Sequence, residues 1–334
     1  MASPGQSTLF TTFTELVTTT YRNHSKEIAD NVSNHNALFR KLNAKGRIRT
    51  EDGGLSIVQP LDYASNSTYQ RYSGFDVLNV GASDVLSAAE YPWRQVAVNV
   101  AASGLEIRTN SGENRIINFV KAKIKNAQRS MANGLSSDLY SDGTATNQIG
   151  GLQAIIHDGD GAHQSGQGTV GGISAAYSGG FAFWRNQVFD ASLASVTPSA
   201  TTIENSMMLP LWLATTRGMD TPDLIVMDSV YFSYFENSQT SLKRYASASE
   251  AAGGIVSLKY KTADVVYDSS DSGMPASHGY FINTDYLELV AHKDANMDVM
   301  PELRSVNQDA IVIPVLFQGN LVCSNRARQG VMHA

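Results

Sequence analysis

The spacing of apolar residues along the chain predicts helices in several stretches. In residues 111–143 apolar side chains recur every three or four positions, which predicts one long amphipathic helix. Residues 8–42 show a weaker helical spacing and predict an amino-terminal arm rather than a core helix. Residues 201–218 predict a helix that kinks at Pro210, and Asp228 is a candidate N-cap for a further helix.

Runs of β-branched and aromatic residues predict strands around these helices. Two runs, in residues 54–64 and 93–107, flank an excursion of roughly 30 residues that is too long for an ordinary hairpin turn. This excursion either docks on its own fold as a lid or reaches onto another molecule. Further strands are predicted in residues 221–228, 255–268, 279–293 and 310–325. The order of helices and strands predicts a mixed α+β or α/β domain near residues 195–310.

Composition favours a protein that is covered by neighbours. Hydrophobic residues make up 42% of the chain and charged residues only 17%, which suits a surface in contact with other subunits, although stable monomers can share it. The single cysteine, Cys323, excludes an intrachain disulfide and a thiolate zinc cluster, and it favours folding in the cytoplasm. The amino terminus does not resemble a signal peptide and no apolar window is long enough to span a bilayer, so we expect no membrane partner.

Charge is unevenly distributed along the chain. Residues 1–50 carry seven Lys/Arg and three Asp/Glu, whereas residues 220–302 carry five Lys/Arg and thirteen Asp/Glu, which predicts two sides facing different surroundings. The five basic residues between 40 and 49 have no acid among them. They form either a solvated segment or a non-specific contact with phosphate or with a neighbour's acidic surface. The net charge of -6 argues against sequence-reading nucleic-acid binding.

The stretch HDGDGAHQSGQGTVGG, residues 157–172, is the most suggestive candidate for chemistry. It lacks the strand and helix that flank a dinucleotide fingerprint and the ligands of a calcium loop, and His157 and His163 have no third metal ligand nearby in the sequence. The chain also contains no G-x-S-x-G, H-E-x-x-H or Walker-type sequence. We therefore predict no catalytic residues, metal or cofactor, and we interpret this stretch as a mobile or subunit-contacting surface insertion.

Four stretches of the chain follow one another in a distinctive order. They are RYSGFDVLNVGASDVLSAAEYPWRQVAVNV, NRIINFVKAKIKNAQRSMANGLSSDLYSDGT, LWLATTRGMDTPDLIVMDSVYFSYFENSQ and VIPVLFQGNLVCSNRARQGVMHA. They resemble, in turn, the extended loop, the spine helix, the first part of the axial domain and the carboxy-terminal return of the major capsid proteins of tailed bacteriophages. These proteins have the Hong Kong 97-type fold, which encapsulin shells share. The resemblance covers residues 20–155 and 195–334.

The resemblance implies an α+β fold of five segments. These are an N-terminal arm (1–50), the extended β-hairpin loop with its flanking strands (51–108), the spine helix and peripheral domain with a variable insertion (109–200), a mixed α/β axial domain (201–310), and a C-terminal strand returning to the peripheral domain (311–334). It also implies a non-enzymatic, structural role: pentamers and hexamers of this chain would assemble into an icosahedral phage head around double-stranded DNA. The expected location is the virion capsid, assembled in the cytoplasm of a bacterial host.

The resemblance further implies two sets of site residues. The extended loop would contact another subunit through Tyr69, Tyr72, Phe75 and Tyr91. A basic set would face the interior and its DNA, or a neighbouring subunit: Arg40, Lys41, Lys45, Arg47, Arg49, Lys121, Lys123, Lys125 and Arg129.

The resemblance carries expectations about partners as well. Portal and scaffolding proteins are expected, and a cement protein is compatible with the sequence. A Lys–Asn crosslink of the kind that welds some of these shells is not expected, because no lysine lies between Lys45 and Lys121. Two alternatives remain open: an encapsulin-like compartment, and a soluble α/β enzyme whose lid is residues 64–92.

Overall fold

The computed structural model describes residues 36–109, 119–239, 258–299, 303–304 and 309–334. The predicted arm before residue 36 and the predicted start of the long helix lie outside these residues. The chain divides into two compact units. The first contains Val96–Leu135 and Asp294–Phe317, and the second contains the other described residues.

Six helices are described within these ranges: α1 (Ala37–Ala44), α2 (Gly104–Thr109), α3 (Phe119–Asp138), α4 (Leu152–Ile155), α5 (Leu209–Thr215) and α6 (Ser229–Ser238). The strands are β1 (Ile48–Glu51), β2 (Ile57–Asp62), β3 (Leu86–Tyr91), β4 (Arg94–Ser103), β5 (Ser165–Gly166), β6 (Thr169–Val170), β7 (Ile173–Ser174), β8 (Asn186–Asp190), β9 (Leu224–Met227), β10 (Leu258–Tyr260), β11 (Ala263–Tyr267), β12 (His278–Ile282), β13 (Leu287–Val299), β14 (Leu303–Arg304), β15 (Ala310–Cys323) and β16 (Gly330–His333).

The predicted long helix is confirmed as α3. Its 20 residues span about 30 Å at 1.5 Å per residue. Ala127, Met131 and Leu135, spaced by four, are buried, as expected for the apolar stripe of an amphipathic helix.

This helix ends earlier than the sequence suggests. We placed its break at Asp142-Gly143, whereas the last helical residue is Asp138. The carbonyl of Leu139 accepts a hydrogen bond from the backbone N–H of Leu152 at 2.7 Å, so the chain beyond the helix already pairs with a later segment. That pairing competes with a further helical turn.

The predicted strand over residues 93–107 is wrong after Ser103. There β4 ends and the short helix α2 begins. The Glu106 backbone N–H donates to Ser103 Oγ at 3.2 Å, and the Ser103 backbone N–H donates to Glu106 Oε2 at 3.1 Å. This reciprocal pair is a capping box, whose S-x-x-E signature starts a helix.

A seven-stranded sheet forms the core of the second unit, in the order β10-β11-β9-β12-β16-β8-β5. Strand β9 is buried throughout, as its continuous apolar run predicts. It pairs in parallel with β11 and antiparallel with β12. The carboxy-terminal β16 lies between β12 and β8, antiparallel to the first and parallel to the second.

Helices α5 and α6 cover one face of this sheet. The predicted N-cap of α6 is confirmed, because Asp228 Oδ1 accepts from the Tyr231 backbone N–H at 2.9 Å. Buried residues from the helices and the sheet share one apolar cluster, which includes Met207, Leu211, Trp212, Ile225, Met227, Tyr231, Phe235, Phe281 and Met332. Each such side chain contributes about 1.5–3 kcal/mol by leaving water.

The predicted kink at Pro210 takes the form of a π-helical turn. Residues Ile203–Met208 form this turn and pass directly into α5. Proline lacks an N–H, and its ring clashes with the carbonyl four residues earlier in an α-helix. The wider π turn accommodates Pro210 without breaking the helix.

The seven-stranded sheet crosses two of the predicted segment boundaries. Strands β5 and β8 come from the predicted peripheral insertion, β9 to β12 from the predicted axial segment, and β16 from the predicted carboxy-terminal segment. The boundaries placed at residues 200 and 310 therefore do not delimit this sheet.

A second sheet of five strands has the order β1-β13-β15-β14, with β4 also paired to β15.

Candidate functional site

The excursion between the predicted strands is a hairpin with a long loop. Strands β2 and β3 form its stem, from the pair Ile57↔Tyr91 at the foot to the pair Asp62↔Leu86 at the far end. Residues 63–85 make up the loop, which we call the extended loop. The return strand β3 thus lies inside the predicted excursion, and its six residues form one side of a paired stem.

Apolar side chains of the extended loop point into solvent. Phe75 is fully exposed, and Tyr69, Tyr72, Val77 and Val80 are largely exposed. A cluster of exposed apolar side chains of this size commonly marks a surface that contacts another molecule. Three of the four loop residues predicted from the sequence are therefore free, within this chain, to contact another molecule.

Polar side chains hold the extended loop in one conformation. Gln70 Nε2 donates to the carbonyl of Val77 at 3.0 Å, and Gln70 Oε1 accepts from the Asn79 backbone N–H at 3.2 Å. The hydroxyl oxygens of Ser67 and Ser83 lie 3.3 Å apart across the base of the loop. The loop thus presents its apolar groups from a braced backbone.

The prediction that Tyr91 contacts another subunit is not supported by its position in the structure. It is buried within its own chain at the foot of the stem. Its hydroxyl donates to the carbonyl of Cys323 at 3.1 Å and accepts from the Cys323 backbone N–H at 3.3 Å, and burial raises the pKa of Tyr91. Tyr91 therefore anchors the stem to β15 and does not extend toward another subunit.

The basic segment on α1 and β1 lies against acids of the same chain. The ion pairs are Lys41–Asp264 (2.7 Å), Lys45–Asp223 (3.0 Å), Lys45–Asp285 (3.4 Å), Arg47–Asp285 (2.9 Å), Arg47–Glu288 (3.2 Å), Arg49–Glu51 (2.9 Å) and Arg49–Glu288 (3.5 Å). The predicted separation of basic and acidic sides is therefore wrong for these four cations. Arg40 is exposed on the same helix.

Strand register explains this pairing. Strand β1 runs parallel to β13 with Ile48 opposite Leu289, and residues two apart on a strand share a face. Arg47 and Arg49 consequently both reach Glu288. The hydrogen bond from Arg47 lowers the pKa of Asp285. Partly exposed ion pairs of this kind each contribute about 0–1 kcal/mol, so their main effect is to neutralise the basic segment.

The other predicted basic residues lie on α3. Lys123 Nζ lies 3.4 Å from Glu106 Oε2 and 3.3 Å from the carbonyl of Ala101. Arg129 is partly buried. The side chains of Lys121 and Lys125 lie outside the described part of the structure.

Two residues of the glycine-rich stretch form the edge strand of the seven-stranded sheet, whereas residues 160–164 are exposed, so the stretch lies at the surface and its contact with another subunit stays a prediction. Strand β5 pairs with β8 through Ser165↔Gln187 and Gly166↔Asn186. A Cβ on Gly166 would overlap the Asn186 side chain, so glycine is required by close approach. Strand β6, in the same stretch, forms a hairpin with β7, which follows the stretch directly.

The two histidines of this stretch have different partners. His163 Nδ1 lies 3.0 Å from Asp160 Oδ2, and its ring stacks on Tyr177 with centroids 3.6 Å apart. His157 is largely buried, and burial lowers its pKa. No group of three His, Cys, Asp or Glu side chains within the described ranges is arranged to hold a metal ion.

The sequence analysis did not identify a buried arginine that donates a hydrogen bond to this stretch. Arg326 is completely buried, and its guanidinium donates to three backbone carbonyls: those of Ile155, Trp184 (3.2 Å) and Gln167 (2.7 Å). Burial lowers the pKa of Arg326 to about 10. The only sequence signal is a charged residue that follows an apolar strand, which also describes many surface arginines.

A second missed feature joins Asp158 to two distant histidines. His278 Nε2 lies 3.1 Å from Asp158 Oδ2, and its Nδ1 lies 2.7 Å from the carbonyl of Ala276. Both ring nitrogens face acceptors, so the imidazolium form satisfies both contacts. Burial opposes this charge, but the contacts with Asp158 and Ala276 outweigh it and raise the pKa of His278. His333 Nε2 lies 2.8 Å from the Asp158 carbonyl.

None of the helices among the described residues is long and apolar enough to cross a membrane. No protein-family model matches the chain, and no curated protein matches it.

Solved structures do match. The capsid asymmetric unit of cyanophage A-1(L) aligns with a TM-score of 0.64 at 16% identity, covering 92% of this chain and 95% of that chain. The capsid of an empty GTA particle aligns with a TM-score of 0.51 at 11% identity, covering 87% and 95%. The holo-SrpI encapsulin complex from Synechococcus elongatus aligns with a TM-score of 0.54 at 8% identity, covering 94% of each chain.

At these identities the comparison establishes the fold. Near-complete coverage in both directions shows that the alignment involves the whole arrangement and not one shared motif. The chain therefore has the Hong Kong 97-type fold of tailed-bacteriophage major capsid proteins, as the resemblance implied.

Proposed function

We propose that this chain is a major capsid protein, a structural subunit that assembles as pentamers and hexamers into the icosahedral head of a tailed phage. The observation that carries the proposal is the fold shared with the cyanophage capsid subunit over 92% of the chain. The role is structural and not catalytic, and its location is the virion capsid, assembled in the cytoplasm of a bacterial host.

The extended loop supplies one contact of the assembly in this proposal. Tyr69, Tyr72 and Phe75 are exposed on a braced loop that its own chain leaves uncovered. Burying them against a second copy removes apolar surface from water, at about 25 cal/mol per Å².

Packaged double-stranded DNA is the proposed interior partner. The basic residues of α3 that we assign to it are Lys121, Lys125 and Arg129, whereas Lys123 is paired with Glu106 of the same chain. The α1 and β1 cations are matched by carboxylates of the same chain and retain little net charge to attract phosphate. A portal and a separate scaffolding protein complete the proposed set, and a cement protein is compatible with it.

Assembly of the purified full chain tests this proposal. Negative-stain microscopy and sedimentation should show closed shells, rings or curved sheets. The variant with Tyr69→Ser, Tyr72→Ser and Phe75→Ser should remain as folded, smaller species, whereas the control Leu55→Ser, at a fully exposed apolar residue outside the loop, should assemble normally. A monomer at micromolar concentration that binds a small ligand saturably would favour the enzyme alternative instead.

An encapsulin-like compartment is the second candidate, because the chain matches an encapsulin subunit over 94% of its length. The contents of the particles distinguish the two. Particles purified from the native source should contain double-stranded DNA if the chain is a phage capsid protein. A folded protein cargo without DNA would identify a compartment.

A further inference from the structure

The hairpin stem of the extended loop is covered along one face and exposed on the other. Ile57, Leu61 and Ala89 share one face and are at most 5% exposed, whereas Val58 and Leu86, on the opposite face, are 48% and 72% exposed. An isolated two-stranded hairpin is only marginally stable in water and needs a surface to pack against. The order of this stem therefore depends on the residues that cover its apolar face.

Residues 167–185 supply part of this cover, and we call them the support segment. They contain the hairpin of β6 and β7 and a 3-10 turn at Ala182–Trp184. Close to the foot of the stem, the Glu90 backbone N–H donates to the carbonyl of Gly171 at 3.0 Å. Gly171 has a φ of 58°, and a Cβ there would lie 2.7 Å from the Cβ of Ala89, so glycine permits this close approach.

A second contact with the support segment lies just beyond the far end of the stem. The Tyr63 ring stacks on Phe183, with centroids 5.3 Å apart and planes inclined by 30°. Phe183 in turn contacts the rings of Phe181 and Trp184, whose centroids are 5.8 and 6.0 Å away. Tyr63 follows β2 directly, and its backbone N–H donates to the carbonyl of Val85 at 3.0 Å. The position of Tyr63 is therefore coupled to both sides of the hairpin.

The support segment is itself held at both ends by a buried side chain. The Arg326 guanidinium donates to the carbonyl of Gln167 at 2.7 Å and to that of Trp184 at 3.2 Å. Trp184 is only 2% exposed, and its Nε1 donates to the carbonyl of Val170 at 3.0 Å. These bonds join the two parts of the support segment that contact the stem, because Gly171 follows Val170 and Phe183 precedes Trp184.

Two separated contacts fix the direction of a stiff element, whereas a single contact leaves it free to pivot. Glu90 pairs with Val58, so the contacts at Glu90 and Tyr63 are five positions apart along the stem, or about 16 Å at 3.3 Å per residue. The whole stem is six residue pairs long, or about 20 Å. A tilt of about 10° at the foot would move its far end by about 3.5 Å, close to the rise of one strand residue.

We propose that the support segment sets the direction of the extended loop. Its contacts at Gly171 and Phe183 fix the angle of the stem, and this angle decides where the exposed aromatic residues of the loop lie for contact with another subunit. Phe183 acts through Tyr63 and is a positioning residue. The inference rests on the proposed function, and it assigns a role to the end of the glycine-rich stretch and to the residues that follow it.

Distances between spin labels in the unassembled full chain test the angle directly. Nitroxide labels are attached to Val77→Cys in the extended loop and to Met219→Cys in the turn between α5 and β9, at side chains that are 91% and 99% exposed. The native Cys323 is buried and burial raises its pKa to about 12, so it is not labelled. Double electron–electron resonance should give one narrow distance distribution for this parent chain.

Removing the stacked pair from either side should broaden that distribution. Phe183→Ala and Tyr63→Leu should each raise the population outside the parent peak by about two- to tenfold, the factor expected for loss of one aromatic pair. Phe183→Tyr keeps the ring and should restore the narrow distribution. The matched control is Phe232→Ala on α6, which removes another partly buried Phe in contact with a tyrosine ring, with centroids 5.7 Å apart, and it should leave the distribution narrow.

Assembly of the same variants shows whether the angle matters for the proposed function. Phe183→Ala should raise the critical concentration for assembly by at least about twofold, because only correctly directed loops are competent to dock. It should also widen the range of particle diameters in negative stain, while Phe183→Tyr and Phe232→Ala should match the parent chain. Circular dichroism confirms that each variant folds.

The outcomes separate this inference from the proposed function. A distance distribution that is broad in the parent chain, or unchanged in both Phe183→Ala and Tyr63→Leu, would overturn the inference and leave the capsid role intact. A broadened distribution with unchanged particles would also overturn it. A wild-type chain that forms no assembly would refute the proposed function, and with it the role of the stem angle, even if the label distances respond as expected.

Discussion

Replacing Arg326 with Met tests how much one buried guanidinium stabilises the second unit by joining three separate segments of the chain. The side chain donates to the carbonyls of Ile155 at the end of α4, Trp184 at the end of a 3-10 helix, and Gln167 between β5 and β6. Met has a similar length and no polar atoms, so the packing loss is small and the hydrogen bonds are the main change. The variant leaves three buried carbonyls without their donor.

The size of the effect follows from these three bonds. A hydrogen bond contributes about 1–1.5 kcal/mol net, and more when the donor is charged. Desolvation of the guanidinium, which lowers the pKa of Arg326 to about 10, offsets part of that gain. We expect the free energy of unfolding to fall by about 3–4 kcal/mol, a large part of the ~5–15 kcal/mol that is usual for a folded protein.

Urea unfolding of the unassembled full chain measures this loss. Fluorescence reports on the three tryptophans, among them Trp184, which is only 2% exposed, and far-ultraviolet circular dichroism reports on the backbone. Protein concentrations below the onset of assembly keep subunit association out of the measured free energy. The matched control is Arg328→Met, because Arg328 is partly exposed and donates to only the Thr215 carbonyl at 3.2 Å.

The variants should fall in a definite order. Arg328→Met should cost less than about 1 kcal/mol, and Arg326→Lys should lie between the two Met variants because one ammonium group cannot reach three carbonyls. Equal losses of less than about 1 kcal/mol for Arg326→Met and Arg328→Met would refute the reasoning.

Three further predictions concern stability. The pKa of His278 is raised above 6.5, so its contribution is fully present below about pH 6.5 and is lost as the pH rises through the folded-state value. His278→Asn should therefore flatten the pH dependence of urea unfolding above about pH 6.5, and an unchanged slope would exclude the imidazolium. Gly171→Ala should lower the free energy of unfolding by about 2–3 kcal/mol, because both the positive φ of Gly171 and a neighbouring side chain oppose a Cβ. Gly172→Ala should cost only about 1 kcal/mol, because Gly172 has a φ of 76° but no atom within 4 Å of the added Cβ. Equal melting temperatures for the two variants would contradict this prediction. Ser103→Ala should cost about 1 kcal/mol by removing the capping box, while Glu106→Gln should retain most of the stability, and thermal unfolding compares the two.

Elements with strong local signals were predictable. The apolar stripe of α3, the continuous apolar run of β9 and the Asp228 cap all depend on residues within a few positions of one another. Those interactions are encoded by spacing, so the cap is at the predicted residue and the described helix and strand lie within the predicted ranges. The capping box at Ser103 carried the same kind of signal, and a preceding alternation of valines hid it.

Predictions about charge separation and subunit contacts depended on residues distant in the sequence, and the structure contradicts two of them. Lys41 and Asp264 are 223 positions apart, and the sequence placed them in oppositely charged regions. The fold brings them into contact and neutralises both. Tyr91 was assigned to another subunit with its aromatic neighbours, but strand pairing turns it toward the backbone of Cys323.

By itself, the sequence of this protein determined its helices and buried strands, the long excursion with its exposed aromatic residues, and the order of segments that identifies the fold, because each of these depends on short-range spacing. Only the tertiary structure decided which charges remain available, that Ser165 and Gly166 of the glycine-rich stretch pair with a sheet edge, and that Arg326 binds the carbonyl of Gln167, 159 positions away. Burial and hydrogen bonding between such distant positions arise when the chain folds, and no local pattern of residue types records them.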